Sequence, residues 1–293
     1  MKKFILILSL MTYGWTADAK DKLYILNSAS ASGSFNAQMI AYAEDLKQYY
    51  DVEYVQGKGC NKASATIKKI VENKQQVFYI WNGLRTADYL NGKNDLCGKI
   101  PNKQNFVNSV LKYGMFFTIK DGINKKDIFK SGLKVGYNSN TNRRYLEALA
   151  KLHRVEWQLV QYENSNGVRL GVLNKEVDWG MINSASSFWS KADKLKALYT
   201  LNSRGENGID PLTSVTKFSG ADNGVADLFL IEGGDNKKLR SIVNKILSNP
   251  KSKISIWYDT AKGYTQTIDL DVNSAIAVSK KEINHWVKIN KLK

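Results

Sequence analysis

A cluster of hydroxyl side chains lies between the first predicted strand and the first predicted helix. The stretch Lys22–Phe35 reads KLYILNSASASGSF and places Ser30, Ser32 and Ser34 ahead of an amphipathic helix. Serine is a preferred helix N-cap, and free backbone N–H groups at a helix start favour an anion such as a carboxylate or phosphate. We expect binding contacts from these three hydroxyls and from the backbone of Ala31. An ordinary strand-to-helix turn is the alternative that this stretch alone leaves open.

A second polar segment follows the predicted strand Leu133–Tyr137. Residues 138–141 read NSNT, and Arg143 falls on the first turn of the next predicted helix. A cation is poorly placed at that end of the helix dipole, and a bidentate carboxylate would compensate. A solvent-facing arginine is the alternative. Polar residues also end two buried strands, which completes the second group of candidate binding residues: Trp81, Asn82, Ser139, Asn140, Thr141, Arg143 and Asn183.

Signals for covalent chemistry are scarce in the sequence. It contains no Gly-x-Ser-x-Gly nucleophile elbow and no paired Cys-x-x-Cys or His-x-x-x-His spacing for zinc. Residues 57–59 read GKG, without the third glycine of a dinucleotide fingerprint or the end of a phosphate loop. We therefore expect a binding protein with no catalytic residue, no metal and no cofactor. A secreted hydrolase that uses the serine segment remains a less favoured alternative.

The N-terminus has the pattern of a cleavable signal peptide. Lys2 and Lys3 precede a short apolar run, and residues 17–19 read ADA, a small-x-small cleavage pattern. Residues 1–19 are predicted to be removed on export, and an uncleaved membrane anchor is the alternative. An oxidising compartment would permit a disulfide between Cys60 and Cys97, although spacing alone does not establish it and free thiols remain the alternative.

The formal net charge of +16 comes from lysines spread along the chain. None of the basic stretches is interleaved with aromatic residues as in a nucleic-acid platform, so we expect no nucleic-acid partner. A solvated lysine surface is the favoured interpretation. Electrostatic attraction of acidic solutes is a weaker one.

Strand and helix signals alternate, and the pattern restarts near residue 133. In each half, apolar strands give way to polar segments and then to helices. In α/β sheets, ligands bind beyond the carboxyl ends of the strands. Two such sheets facing each other would therefore bring the polar segments of both halves to one cleft.

The order of these motifs resembles the substrate-binding proteins of tripartite tricarboxylate transporters. Four stretches carry the resemblance besides the serine segment: GCNKA at 59–63, LKVGYNSNTNRRYLEAL at 133–149, GVRLGVLNKEVDWGM at 167–181 and LKALYTLNSR at 195–204. The closing segment EINHWVKI at 282–289 adds a fifth. The second polar segment departs from the glycine–serine type common in that family, because Asn138, Asn140, Arg143 and Arg144 crowd it.

The resemblance implies an α/β fold of the two-lobed periplasmic binding-protein kind (type II), with a mixed, mostly parallel sheet in each lobe and a hinge of two crossing segments. It implies lobe one over residues 20–125 plus 198–293 and lobe two over 126–197. It also implies a periplasmic monomer that captures a small carboxylate and delivers it to membrane permease subunits. The same fold binding another small solute, such as a phosphonate or an amino acid, is the alternative.

Overall fold

The computed structural model describes residues 20–28, 34–57, 59–82, 103–183, 194–201, 209–212, 224–260 and 265–268, together with the single positions 273, 274, 277 and 281. Short 3₁₀ helices lie at Lys103–Asn105 and Lys125–Phe129. The strands and longer helices of these ranges follow in chain order: β1 Lys22–Asn27, α1 Ser34–Leu46, β2 Asp51–Gln56, α2 Cys60–Glu72, β3 Gln76–Asn82, β4 Phe106–Ile119, β5 Lys134–Tyr137, α3 Asn140–His153, β6 Gln158–Gln161, α4 Ser165–Leu173, β7 Trp179–Asn183, β8 Leu195–Thr200, β9 Gly224–Glu232, α5 Asn236–Ser248, α6 Lys253–Thr260 and β10 Thr265–Ile268.

The strands form two mixed sheets. The first has the order β2-β1-β3-β9-β4-β10, and the second has the order β6-β5-β7-β4-β8. Pairs within β2-β1-β3 and β6-β5-β7 are parallel, as the alternating strand and helix signals predict. The pairs that involve β4 or β9 are antiparallel, so each sheet contains more antiparallel pairing than the sequence suggested.

Strand β4 belongs to both sheets. Its first part, through Tyr113, pairs with β9 and β10, and its last part, from Gly114, pairs with β7 and β8. A Cβ at Gly114 would lie 2.6 Å from Met181 Cε and 2.7 Å from Leu201 Cδ1, so the absence of a side chain lets the strand pass close to the second core. The two sheets are therefore joined by one continuous strand.

The first sheet is covered on one side by α1, α5 and α6. Apolar residues at helical spacing on α1, such as Met39, Tyr42 and Leu46, are fully buried against this sheet. Ile40 on the same helix lies outside this face and is 39% exposed. Helix α2 packs on the opposite side through Ala63, Ile67 and Ile70, among others.

The second sheet is likewise packed on both sides. Helix α3 buries Tyr145, Leu146 and Leu149 against Trp179 and its neighbours. Helix α4 covers the other side through Val168 and Val172. Each sheet therefore has a core on both faces, which leaves its strand ends as the places where polar residues can meet a solute.

Candidate ligand-binding edges

The carboxyl ends of the parallel strands form one edge on each sheet. We call the ends of β1, β2 and β3 the first edge, and the ends of β5, β6 and β7 the second edge. On the first edge, Asn82 is in register with Asp227, which is in register with Val110 of β4. On the second edge, Asn183 is in register with Gly114 of the same strand. Val110 and Gly114 are four positions apart along β4, which is about 13 Å at strand spacing.

Both edges therefore face the same short segment of β4. Strand β8 also ends there, because the Leu201 N–H donates to the Gly114 carbonyl over 2.8 Å. The order of the strands thus brings the polar segments of both halves toward one place, as the sequence predicted for a cleft between two sheets.

At the first edge, side-chain amides link the end of β1 to α1 and β2. Asn27, which is 1% exposed, donates from Nδ2 to Asn36 Oδ1 over 2.8 Å and to Gln56 Oε1 over 3.0 Å. The Tyr54 hydroxyl donates to the same Asn36 oxygen over 2.7 Å. Burial raises the pKa of Tyr54 to about 12, so the hydroxyl keeps its proton at neutral pH. This network fixes the first turn of α1 on the sheet.

A second group of buried polar residues lies beneath the first edge. Gln38 on α1 donates to the Tyr258 hydroxyl over 2.9 Å, and the hydroxyls of Tyr42 and Tyr258 are 3.1 Å apart. Asn108 of β4 and Asp227 of β9 are buried on the neighbouring strands. Burial raises the pKa of both tyrosines. The sequence did not predict this group. Its signal is the presence of polar residues inside the apolar runs FVNSV at 106–110 and VADLFLI at 225–231.

At the second edge, the segment after β5 is held by Ser139 and Asn142. Ser139 is the N-cap of α3, and its Oγ accepts from the Asn142 N–H over 3.1 Å. The Asn142 side chain is fully buried, and its Nδ2 donates to Asn138 Oδ1 over 2.9 Å and to the Met181 carbonyl over 3.3 Å. Asn138 in turn donates to Ser165 Oγ over 3.1 Å. The first turns of α3 and α4 are thereby tied to β7.

Arg143 lies on the exposed side of α3. Its Nε donates to Glu147 Oε1 over 2.7 Å, one helical turn later. Both side chains are largely exposed, at 55% and 42%. The hydrogen bond with Glu147 raises the pKa of Arg143, which is therefore a permanent cation near the second edge. The sequence predicted that a bound carboxylate would compensate the charge of Arg143. In the structure, the Glu147 carboxylate provides part of that compensation.

The predicted binding residues fall into three groups. Ser30, Ala31 and Ser32 lie outside the described residues. Asn82 and Asn183 end β3 and β7, Trp81 precedes Asn82, and Ser34, Asn140 and Thr141 begin α1 and α3, so these positions are at the two edges. The sequence expected Asn140 and Thr141 in a loop, whereas the structure has the helix begin at Asn140, because the Ser139 cap sets that start.

The predicted disulfide stays a prediction. Cys60 is the first residue of α2, and Cys97 lies outside the described residues.

Over the part of the chain that the structure describes, no group of three or more His, Cys, Asp and Glu side chains could hold a metal ion. Across those same residues, we find no helix with the length and apolar character needed to cross a bilayer.

Comparison with solved structures identifies the fold. A TctC solute-binding protein from Polaromonas matches at a TM-score of 0.59 and 11% identity, covering 94% of this chain and 100% of that one. A Rhodopseudomonas palustris protein solved with adipate matches at a TM-score of 0.69 and 12% identity, covering 94% and 97%. PhnD1 from Prochlorococcus marinus, solved with methylphosphonate, matches at a TM-score of 0.55 and 12% identity, covering 93% and 98%.

By sequence, the chain matches no model of a protein family, and no curated protein. At identities near 12%, the structural likeness shows the fold alone. That fold is the two-lobed α/β fold of periplasmic solute-binding proteins, with a mixed sheet in each lobe. The predicted resemblance to the substrate-binding proteins of tripartite tricarboxylate transporters is confirmed at this level.

Proposed function

We propose that this chain is an exported solute-binding protein that captures a small carboxylate between its two lobes and delivers it to a membrane permease. The observation that carries the proposal is the position of the two edges, which face the same segment of β4, residues 110–114. A solute held there would contact both lobes at once, and its binding would favour a closed arrangement.

The groups at the two edges favour an anionic solute. Hydroxyl and amide side chains stand at both edges beside the starts of α1 and α3, and such donors form strong hydrogen bonds with a carboxylate. We propose that the contacts come from the residues that the sequence singled out: Ser30, Ala31, Ser32, Ser34, Trp81, Asn82, Ser139, Asn140, Thr141, Arg143 and Asn183. A solved structure of the same fold holds adipate, which supports this solute class.

The proposal extends to export and to the lobes. Residues 1–19 would be the signal peptide, so N-terminal sequencing of the periplasmic protein should begin at Lys20. Lobe one would comprise 20–125 and 198–293, and lobe two 126–197, with the chain acting as a monomer. Strand β4 passes from the first sheet to the second between Tyr113 and Gly114. This point lies before the proposed lobe boundary at residue 125.

A thermal-shift screen tests the solute class. Mono-, di- and tricarboxylates, methylphosphonate and amino acids would each be added to the mature protein. A solute at a hundred times its Kd adds about 2.7 kcal/mol of stability. For a chain of this size, that corresponds to an increase in Tm of about 5–10 °C. We expect this increase from a carboxylate. An increase from methylphosphonate alone would favour the second candidate, because a protein of the same fold binds that solute.

Calorimetry on two variants tests the proposed contacts. Ser32→Ala and Thr141→Ala each remove one hydroxyl group that would donate a hydrogen bond to the carboxylate of the bound solute. A hydrogen bond to a charged group contributes about 1.5–3 kcal/mol, so affinity should fall by roughly ten- to a hundred-fold. Turnover of an ester panel by the unmodified protein would instead support a hydrolase. Unchanged affinity in both variants would place the solute on other residues.

A further inference from the structure

The amide of Asn36 is oriented by two hydrogen bonds that both end on its oxygen. Asn27 Nδ2 and the Tyr54 hydroxyl donate to Asn36 Oδ1 over 2.8 and 2.7 Å. A carbonyl oxygen has two lone pairs, so this oxygen is fully occupied. Because the amide group is planar, its nitrogen must point away from Asn27 and Tyr54.

The nitrogen of the same amide carries two N–H donors. Among the residues that the structure describes, Asn36 Nδ2 donates no hydrogen bond. Asn36 is half-buried, so the nitrogen remains within reach of a solute. It is the third residue of α1, at the first edge. The backbone N–H groups of that first helical turn also lack partners within the helix, so the Nδ2 donors add to an existing set.

Asn142 occupies the equivalent place on the second edge but uses its amide differently. It is the third residue of α3, and it too bonds an asparagine at the end of the preceding strand. Its Nδ2 donates to Asn138 Oδ1 and to the Met181 carbonyl, and its side chain is fully buried. Asn142 therefore positions the second edge, whereas the Nδ2 of Asn36 donates to none of the residues that the structure describes.

We propose that Asn36 Nδ2 donates a hydrogen bond to the anionic group of the bound solute, with Asn27 and Tyr54 as the residues that position it. This inference rests on the proposed function, because it names one further contact of the same site. It also restricts the solute, since an amide N–H at this place donates to a carboxylate oxygen and disfavours an ammonium group, which has no acceptor.

The test is calorimetry of Asn36→Asp with the carboxylate that gives the largest thermal shift. Aspartate keeps the oxygen that accepts from Asn27 and Tyr54 and replaces the NH₂ group by a charged oxygen. We expect affinity to fall at least a hundred-fold, with Tm within about 2 °C of the unmodified protein. Ala37→Asp is the matched control, because it adds the same charge at the next, exposed residue of α1. We expect its affinity to fall less than five-fold.

A second readout follows the amide itself. In a ¹⁵N–¹H correlation spectrum, the side-chain NH₂ signal that disappears in Asn36→Asp should shift when the solute saturates the protein, while that of Asn142 should move far less. An Asn36→Asp affinity within three-fold of the unmodified protein, or a loss equal to that of Ala37→Asp, would overturn the inference but leave the proposed function standing. If the unmodified protein binds no solute of the panel, the proposed function fails and the inference with it.

Discussion

At the residue scale, asparagine side chains form the main hydrogen-bond networks at the two edges. Asn27, Asn36, Asn138 and Asn142 each link a strand end to a helix start. An amide can donate and accept at once, so it can join two polar segments without bringing in a charge. In the proposed function, these four amides would offer donors to an anion without placing a carboxylate among themselves.

The hydroxyl of Tyr54 should make stability depend on pH in the alkaline range. Its pKa is raised to about 12 by burial, above the ordinary value of 10.0. The raised value means that its contribution to stability is fully present below pH 10 and is lost as the pH rises to about 12. As a phenolate, Tyr54 could no longer donate to Asn36 Oδ1.

Chemical unfolding of the unmodified protein and Tyr54→Phe between pH 8 and 12 checks this. At pH 8 the variant should be less stable by about 1 kcal/mol, the usual value of one hydrogen bond. The difference should shrink and then reverse toward pH 12. Other buried tyrosines titrate in both proteins, so they cancel in the comparison. A difference that stays constant across this range would contradict the assigned role.

At the scale of elements, β4 and the turns around it determine how the sheets fit together. Strand β9 runs antiparallel between β3 and β4, and it leads into α5 through Gly233 and Gly234. Helix α6 is fixed at its start by Asp45, whose carboxylate accepts the N–H groups of Lys253 and Ile254 over 3.0 and 2.8 Å. A carboxylate near a helix N-terminus is a favourable arrangement.

Gly233 should be the least replaceable residue of the β9–α5 turn. Its φ is +73°, and a Cβ there would collide with the backbone oxygen of Gln75. A non-glycine residue in this conformation costs about 1–2 kcal/mol, and overpacking adds roughly 1–3 kcal/mol. We expect Gly233→Ala to lower the free energy of unfolding by about 3 kcal/mol, as measured by urea unfolding.

Gly132→Ala separates the two contributions. Gly132 has a φ of +84°, yet a Cβ there would meet nothing within 4 Å. Its replacement should therefore cost only the conformational part, about 1–2 kcal/mol. Equal losses in the two variants would mean that the contact with Gln75 relaxes without cost.

At the scale of the whole molecule, the proposed function requires that the two lobes move relative to each other when a solute binds. A compact chain of this length would have a radius of gyration of about 19 Å. We expect small-angle X-ray scattering of the solute-free protein to give a larger value, which falls toward 19 Å when the solute binds and the lobes close. A solute that gives no thermal shift, added at the same concentration, serves as the control. An unchanged radius with a saturating solute would argue against closure.

Alternating strand and helix signals along the chain predict the parallel parts of both sheets and the helices packed on them. The amphipathic helix after the serine segment corresponds to α1, and the buried strands that end in Asn82 and Asn183 correspond to β3 and β7. These signals are local, since they depend on which residues neighbour each other along one helix or strand. They also placed Asn82, Ser139 and Asn183 at strand ends or helix starts, where the structure has them.

The way in which the two halves join depends on contacts between distant parts of the chain. Strand β4 mixes Asn108, Ser109 and Lys112 with apolar residues, so its sequence predicts no uniform face, and its pairing in both sheets comes from distant partners. The same holds for Asn36, whose orientation depends on Asn27 and Tyr54, 9 and 18 residues away. Contacts between residues far apart in the chain leave no periodic signal, which is why the shared strand and the oriented amide appear only in the folded molecule.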